Sequence, residues 1–160
     1  MTFDRLGRSA CAFVAALVGF GAHAAIAGGS DPEVVLDEIF GQVEAMCGGD
    51  GQGEPYDIYA ISETYFTPEL AHGFETAMEG GNLGFDVLVD GQDCKIDGLA
   101  LEVVDTDGDI AVGRAIFKNM GEDRIIDLRM TKLGDTWKVS DILYQHREFS
   151  LSSALADGDD

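Results

Sequence analysis

Ile96–Lys118 reads IDGLALEVVDTDGDIAVGRAIFK, and its period decides the fold. Leu99, Leu101 and Val103 alternate with Ala100 and Glu102, the two-residue rhythm of a strand with one buried face. Asp107-Gly108 breaks the run with turn chemistry, and a second strand follows at Asp109–Lys118. Two such runs joined by Asp-Gly form an antiparallel hairpin. Downstream, Arg124–Leu133 and Thr136–Tyr144, parted by Gly134-Asp135, extend it to a four-stranded meander.

Upstream the rhythm is helical. Ser30-Asp31-Pro32-Glu33 has the form of a capping box with proline in the first turn. Behind it Val35, Leu36, Ile39, Phe40, Val43, Met46 and Cys47 share one face of a helix over Pro32–Cys47. Gly48–Pro55 (GGDGQGEP) is a connector: it has no lysine or Ser/Thr to make it a phosphate cradle, and it holds two acids. Asp57–Phe66 reads as a short helix. Thr67-Pro68-Glu69 starts another, which carries Leu70, Phe74, Ala77 and Met78 and stops at Gly80-Gly81. Ser150 caps a last short helix through Leu155. Helices followed by a sheet that they cover on one face give an α+β domain over residues 28–156, with an acidic tail at 157–160.

The first 27 residues follow a different plan. Arg5 and Arg8 precede the apolar run Ala10–Gly21, and Ala22-His23-Ala24 and Ala25-Ile26-Ala27 supply small-x-small cleavage sites. That order is a secretory signal peptide, cleaved after Ala24 or Ala27, and it implies a periplasmic or secreted product. The apolar run is too short for a membrane span, which needs roughly 20 residues. Cys11 begins the run instead of following it, so a lipid anchor is not indicated, and separated arginines do not make a twin-arginine signal.

The chain has 30 acidic and 10 basic residues, a net charge of −20. A surface so acidic repels nucleic acid and anionic lipid; it either serves solubility alone, the simpler reading, or favours cationic partners or divalent ions. Cys47 and Cys94 remain after cleavage. In an oxidising compartment they are either a disulfide or two separately buried thiols. Zinc is not indicated, because there is no second cysteine pair and His72 and His146 lie far off in sequence. Asp105-Thr106-Asp107-Gly108-Asp109 imitates the start of a calcium loop, but Ile110 and Ile116 stand where glycine and glutamate belong. Hairpin chemistry accounts for it, and no cofactor is called for.

Tyr65-Phe66-Thr67-Pro68-Glu69-Leu70, Gly84-Phe85-Asp86, Gly91-Gln92-Asp93 and Trp137–Ile142 (WKVSDI) together resemble an exported bacterial family, the domain of unknown function 3828. The resemblance covers about Tyr56–Leu155. This chain has Val87 where the family often has proline, and Cys94 where it often has tryptophan. The resemblance implies a nuclear-transport-factor-two-like cone: helices against a strongly curved four-stranded sheet, often enclosing a pocket. Tyr65, Phe85, Asp86, Gln92 and Asp93 are the candidate lining. The family brings no established catalytic residues.

Weak catalytic candidates are Asp86, Asp93 and His146, the first two as pocket carboxylates and the third as a proton carrier. Against that role, Asp86 and Asp93 sit among turn formers, where aspartates accept backbone amides and hold a connection together. His146 follows the fourth strand in an ordinary loop, and His72 faces away from the Leu70/Phe74 stripe. On strand two Ile110, Val112, Arg114, Ile116 and Lys118 share a face, as do Ile125, Asp127, Arg129 and Thr131 on strand three. As an outer face these residues suit either a sheet-to-sheet homodimer or plain cross-strand ion pairs. The residues therefore describe an exported protein that binds a small molecule or a protein partner. The alternatives are a small proton-transfer or hydrolytic enzyme, and a structural or inhibitory partner for a cationic protein.

Overall fold

The computed structural model describes residues 29–49 and 53–156. The expected signal segment, 1–27, and the expected acidic tail, 157–160, lie outside the described residues. The elements run α1 (Pro32–Cys47), α2 (Ile58–Tyr65), α3 (Pro68–Gly80), β1 (Ile96–Asp107), β2 (Ile110–Asn119), β3 (Glu122–Leu133), β4 (Thr136–Tyr144), β5 (Phe149–Ser150) and α4 (Leu151–Ala156).

Each helix start has a local cause. Asp31 caps α1, its carboxylate accepting from Val34 N at 2.9 Å. The cap is therefore Asp31 and not Ser30. Pro32 suits the first helical position, which places the cap one residue before it and moves Glu33 too early to close a capping box. Asp57 caps α2 by accepting from Tyr59 N and Ala60 N, and Thr67 caps α3 by accepting from Leu70 N. Gly81, at φ 68°, ends α3 in the left-handed conformation that glycine adopts without strain.

The sheet is an antiparallel meander in the order β1-β2-β3-β4-β5. It has five strands where four were expected. β5 pairs Tyr144 with Phe149 and Leu143 with Ser150, and a two-residue strand is too short for its alternation to be counted. β1, hydrogen-bonded only to β2 among the described strands, has register shifts between Asp97 and Ala100 and between Val103 and Asp105. Gly98, at φ 67°, lies in the first of these.

Ala111, Ala115 and Phe117 of β2 and Ile126, Leu128 and Met130 of β3 are buried on the inner face, under Leu36, Ile39, Phe40 and Val43 of α1. Gly113 lets the helix come close: a Cβ there would stand 2.6 Å from Leu36 Cδ1. The residues expected on the opposite face of β2 do lie outward. Arg114 grips Asp127 with two hydrogen bonds of 2.7 and 2.8 Å, while Ile110, Ile116 and Ile125 are exposed. The α2–α3 junction reaches the sheet through Thr67 N, which donates to Val139 O at 2.8 Å.

Cys47 and Cys94 are bridged, with α-carbons 5.3 Å apart. The last residue of α1 is thereby tied to the segment entering β1. Among the described residues no helix is long and apolar enough to cross a membrane.

Candidate functional site

A cleft of about 300 Å³ opens between the helices and the segment that leaves α3. Helix α2 contributes Ile58, α3 contributes Phe74 and Met78, and the segment adds Leu83, Gly84, Phe85, Asp86, Val87 and Gln92. Local polar bonds shape that segment. Asp86 Oδ1 accepts from Leu88 N at 2.8 Å, the aspartate turn expected of it, and Tyr56 OH donates to Asp86 Oδ2. Asp86 N donates to Gly91 O at 2.8 Å and Asp90 N to Asp86 O at 2.9 Å, closing the loop. Gln92 Nε2 spans it by donating to Gly84 O at 3.0 Å. Burial and the adjoining carboxylate push the Tyr56 hydroxyl far above its ordinary range, so it stays a neutral donor.

Beyond the cleft the segment dives into the core. Val87, Leu88 and Val89 are buried, and the buried Tyr144 OH donates to Val87 O at 3.0 Å. Asn119, at the inward end of β2, accepts from Lys95 N and donates to the carbonyls of Val89 and Asp93. Asp90 is wholly buried and holds a left-handed backbone, φ 51°. A histidine and two arginines approach its carboxylate: His146 Nε2 at 2.5 Å, Arg147 Nη2 at 3.1 Å and Arg124 Nε at 3.6 Å. These contacts are close but poorly directed, and neither Asp90 oxygen nor Arg124 Nε gains a well-aligned hydrogen bond among the described residues. Burial pushes the Asp90 carboxyl above its usual range, although Arg147, His146 and Arg124 pull it back. Arg147 also lies over the rings of Phe85 and Phe149, 5.6 and 5.8 Å from their centroids. The ionic cluster therefore abuts a ring that lines the cleft.

Of the candidate lining residues, Phe85, Asp86 and Gln92 meet at the cleft. Tyr65 lies elsewhere, its hydroxyl donating to Glu38 Oε2 at 2.8 Å. Partial burial and Glu38 push that hydroxyl up to about 12. The Asp93 carboxylate is exposed, and only its main-chain carbonyl joins the network, through Asn119. The expected structural role of the Asp93 side chain thus belongs to Asp86 and Asn119. His146 is no ordinary loop residue, since it contacts a buried acid. His72 is exposed, and the Asp107-Gly108 stretch is a hairpin turn with Gly108 at φ 59°. No three His, Cys, Asp or Glu side chains among the described residues stand close enough to hold a metal ion.

Sequence reasoning missed Tyr56, Asp90, Asn119 and Arg124. Only Asn119 carried a signal, because it shares the inward parity of Ala115 and Phe117.

No family model matches the chain, and no curated protein matches it. Among solved structures, a phospholipid-binding protein from Ralstonia solanacearum, determined with a phospholipid, is 24% identical, with a TM-score of 0.36. The match covers 57% of this chain and 50% of that one, so it spans half of that protein's length. A likeness at that score transfers neither fold nor ligand.

Proposed function

We propose that this chain is an exported, non-catalytic binding protein whose cleft takes a small, mainly apolar ligand. One observation carries the reading: six apolar side chains and only two polar ones converge on a cleft of about 300 Å³. That lining is the usual chemistry of a small-molecule site, and the volume is near the lower end of such sites. The Cys47–Cys94 bridge supports an oxidising destination. Helices on one face of an antiparallel meander support the cone-type fold implied by the resemblance to family 3828.

The enzyme alternative draws on His146 beside Asp90, since a buried acid next to a histidine is the orienting half of a general base. Two arginines share that same carboxylate, however, and His146 does not line the cleft. Binding is the better-supported reading.

Titration calorimetry with octan-1-ol tests it. Saturable one-site binding is expected, and it is lost in Gly84→Phe, where the new Cβ meets no atom within 4 Å and the ring adds bulk at the cleft wall. Heats that never saturate, or unchanged binding by the variant, would overturn the reading.

A further inference from the structure

We infer that the cleft selects a small amphiphile with a positively charged end, a primary ammonium on an apolar body, and that Asp86 makes the selection. The inference rests on the binding reading above and adds the charge of the ligand. Ile58, Phe74, Met78, Leu83, Phe85 and Val87 form the apolar wall. Asp86 is the one charged side chain in the lining, and Gln92 is neutral. A carboxylate offers about four acceptor positions. Leu88 N and Tyr56 OH each fill one, so each oxygen can accept again from a guest.

Both donors already on Asp86 are neutral, and none of the ion pairs among the described residues involves it. Its charge therefore awaits a counter-ion. Arg147 is the cation beside this site, and it is engaged by Asp90 at 3.1 Å behind the Phe85 ring. A net charge of −20 over the whole chain attracts cationic ligands and repels anionic ones on approach. The cleft has the room of roughly ten water molecules at about 30 Å³ each, which suits a short chain or one ring better than a long lipid tail.

The test is calorimetric titration of the full disulfide-bonded chain with three matched probes: octylammonium, octan-1-ol and octanoate. Octylammonium is expected to bind about tenfold more tightly than octan-1-ol, the worth of one partly shielded ion pair, and octanoate more weakly than either. Asp86→Asn keeps an oxygen for Leu88 N but removes the charge. It should bring octylammonium down to the octan-1-ol level and leave octan-1-ol unchanged. Tyr56→Phe, which leaves the charge in place, should retain the ammonium preference. Should Asp86→Asn fail to fold, the order of the three probes on the parent and on Tyr56→Phe decides. Octanoate binding as well as octylammonium would overturn the inference, as would an ammonium preference that survives Asp86→Asn. If octan-1-ol binds but charge makes no difference, the binding reading stands and this inference alone falls. If no probe binds, both fall.

Discussion

Asp90→Asn removes the only charge that Arg124, His146 and Arg147 converge on, yet it should not destabilise the protein. The Asp90 side chain is 0% exposed, and moving a carboxylate from water into such a place costs several kcal/mol. Contacts at 2.5, 3.1 and 3.6 Å offset part of that cost. Their alignment is poor, and the carboxyl remains above its usual range, so desolvation outweighs attraction. Asparagine keeps the shape, carries no charge and tolerates a left-handed backbone better than most residues. Of the groups left behind, Arg124 keeps Glu122 and the Asp123 carbonyl, and the His146 and Arg147 side chains are 32% and 42% exposed, so water reaches those two. Asp90→Asn should therefore lie within about 1 kcal/mol of the parent at neutral pH, on the stabilising side. Arg147→Leu, which leaves the buried charge and removes a partner, should cost about 1–3 kcal/mol.

The pH dependence has a definite sign. A carboxyl raised in the native state keeps a proton that the unfolded chain has released. Its stabilising contribution is complete below the unfolded value of 3.8 and is lost as pH rises through the folded value. Urea unfolding from about pH 4 to about pH 8, followed by Trp137 fluorescence, should show the variant gaining on the parent as pH rises. Glu122, held low by its hydrogen bond from Arg124, has no contact with Asp90 of its own among the described ion pairs. A loss of about 3 kcal/mol at neutral pH, or an advantage confined to acid, would refute the argument.

Replacing Cys47 and Cys94 together by alanine should cost about 4 kcal/mol in the chain-entropy model, since the bridge spans 47 residues of sequence. A melting temperature that does not fall, or that is unmoved by reductant in the parent, would count against it. Gly113→Ala should cost about 1–3 kcal/mol through the clash with Leu36. Combined with Leu36→Ala it should cost less than the two changes separately, and strict additivity in a double-mutant cycle would sink that account. Asp93→Ala should stay within about 0.5 kcal/mol of the parent, because the carboxylate is exposed and the carbonyl survives. Asn119→Ala should cost about 1–3 kcal/mol, because the carbonyls of Val89 and Asp93 and the Lys95 amide all lose a partner.

The parts of the fold legible in the sequence are those governed by short-range chemistry. Pro32–Cys47 and Thr136–Tyr144 begin and end where proline, cysteine and turn residues place them, because period and capping act within a few residues. The outward set on β2 follows from parity alone once Ala111, Ala115 and Phe117 are taken as inward. The cap of α1 was misplaced by one residue, where two capping signals, Ser30 and Asp31, adjoin and only the proline position separates them. The candidate site was legible in half. Phe85, Asp86 and Gln92 come from one short segment and meet at the cleft, whereas Asp90 acquires meaning only from Arg124 and the β4–β5 turn, more than thirty residues away. No local pattern marks a carboxylate for burial when its partners arrive from elsewhere in the chain.

The side of β1 that pairs with no other described strand gives the chain's acidity a second consequence. A twelve-residue strand with one margin unpaired among the described residues is a template on which another chain can add a strand. Asp97, Glu102, Asp105 and Asp107 stand exposed along it, and the two register shifts and Gly98 keep it from running straight. At neutral pH two such margins repel each other before their backbones can pair. Replacing those four acids by their amides would remove the repulsion and leave the backbone template in place. Fibril growth by edge addition is then the hazard, and the four acids along β1 are what hold it off.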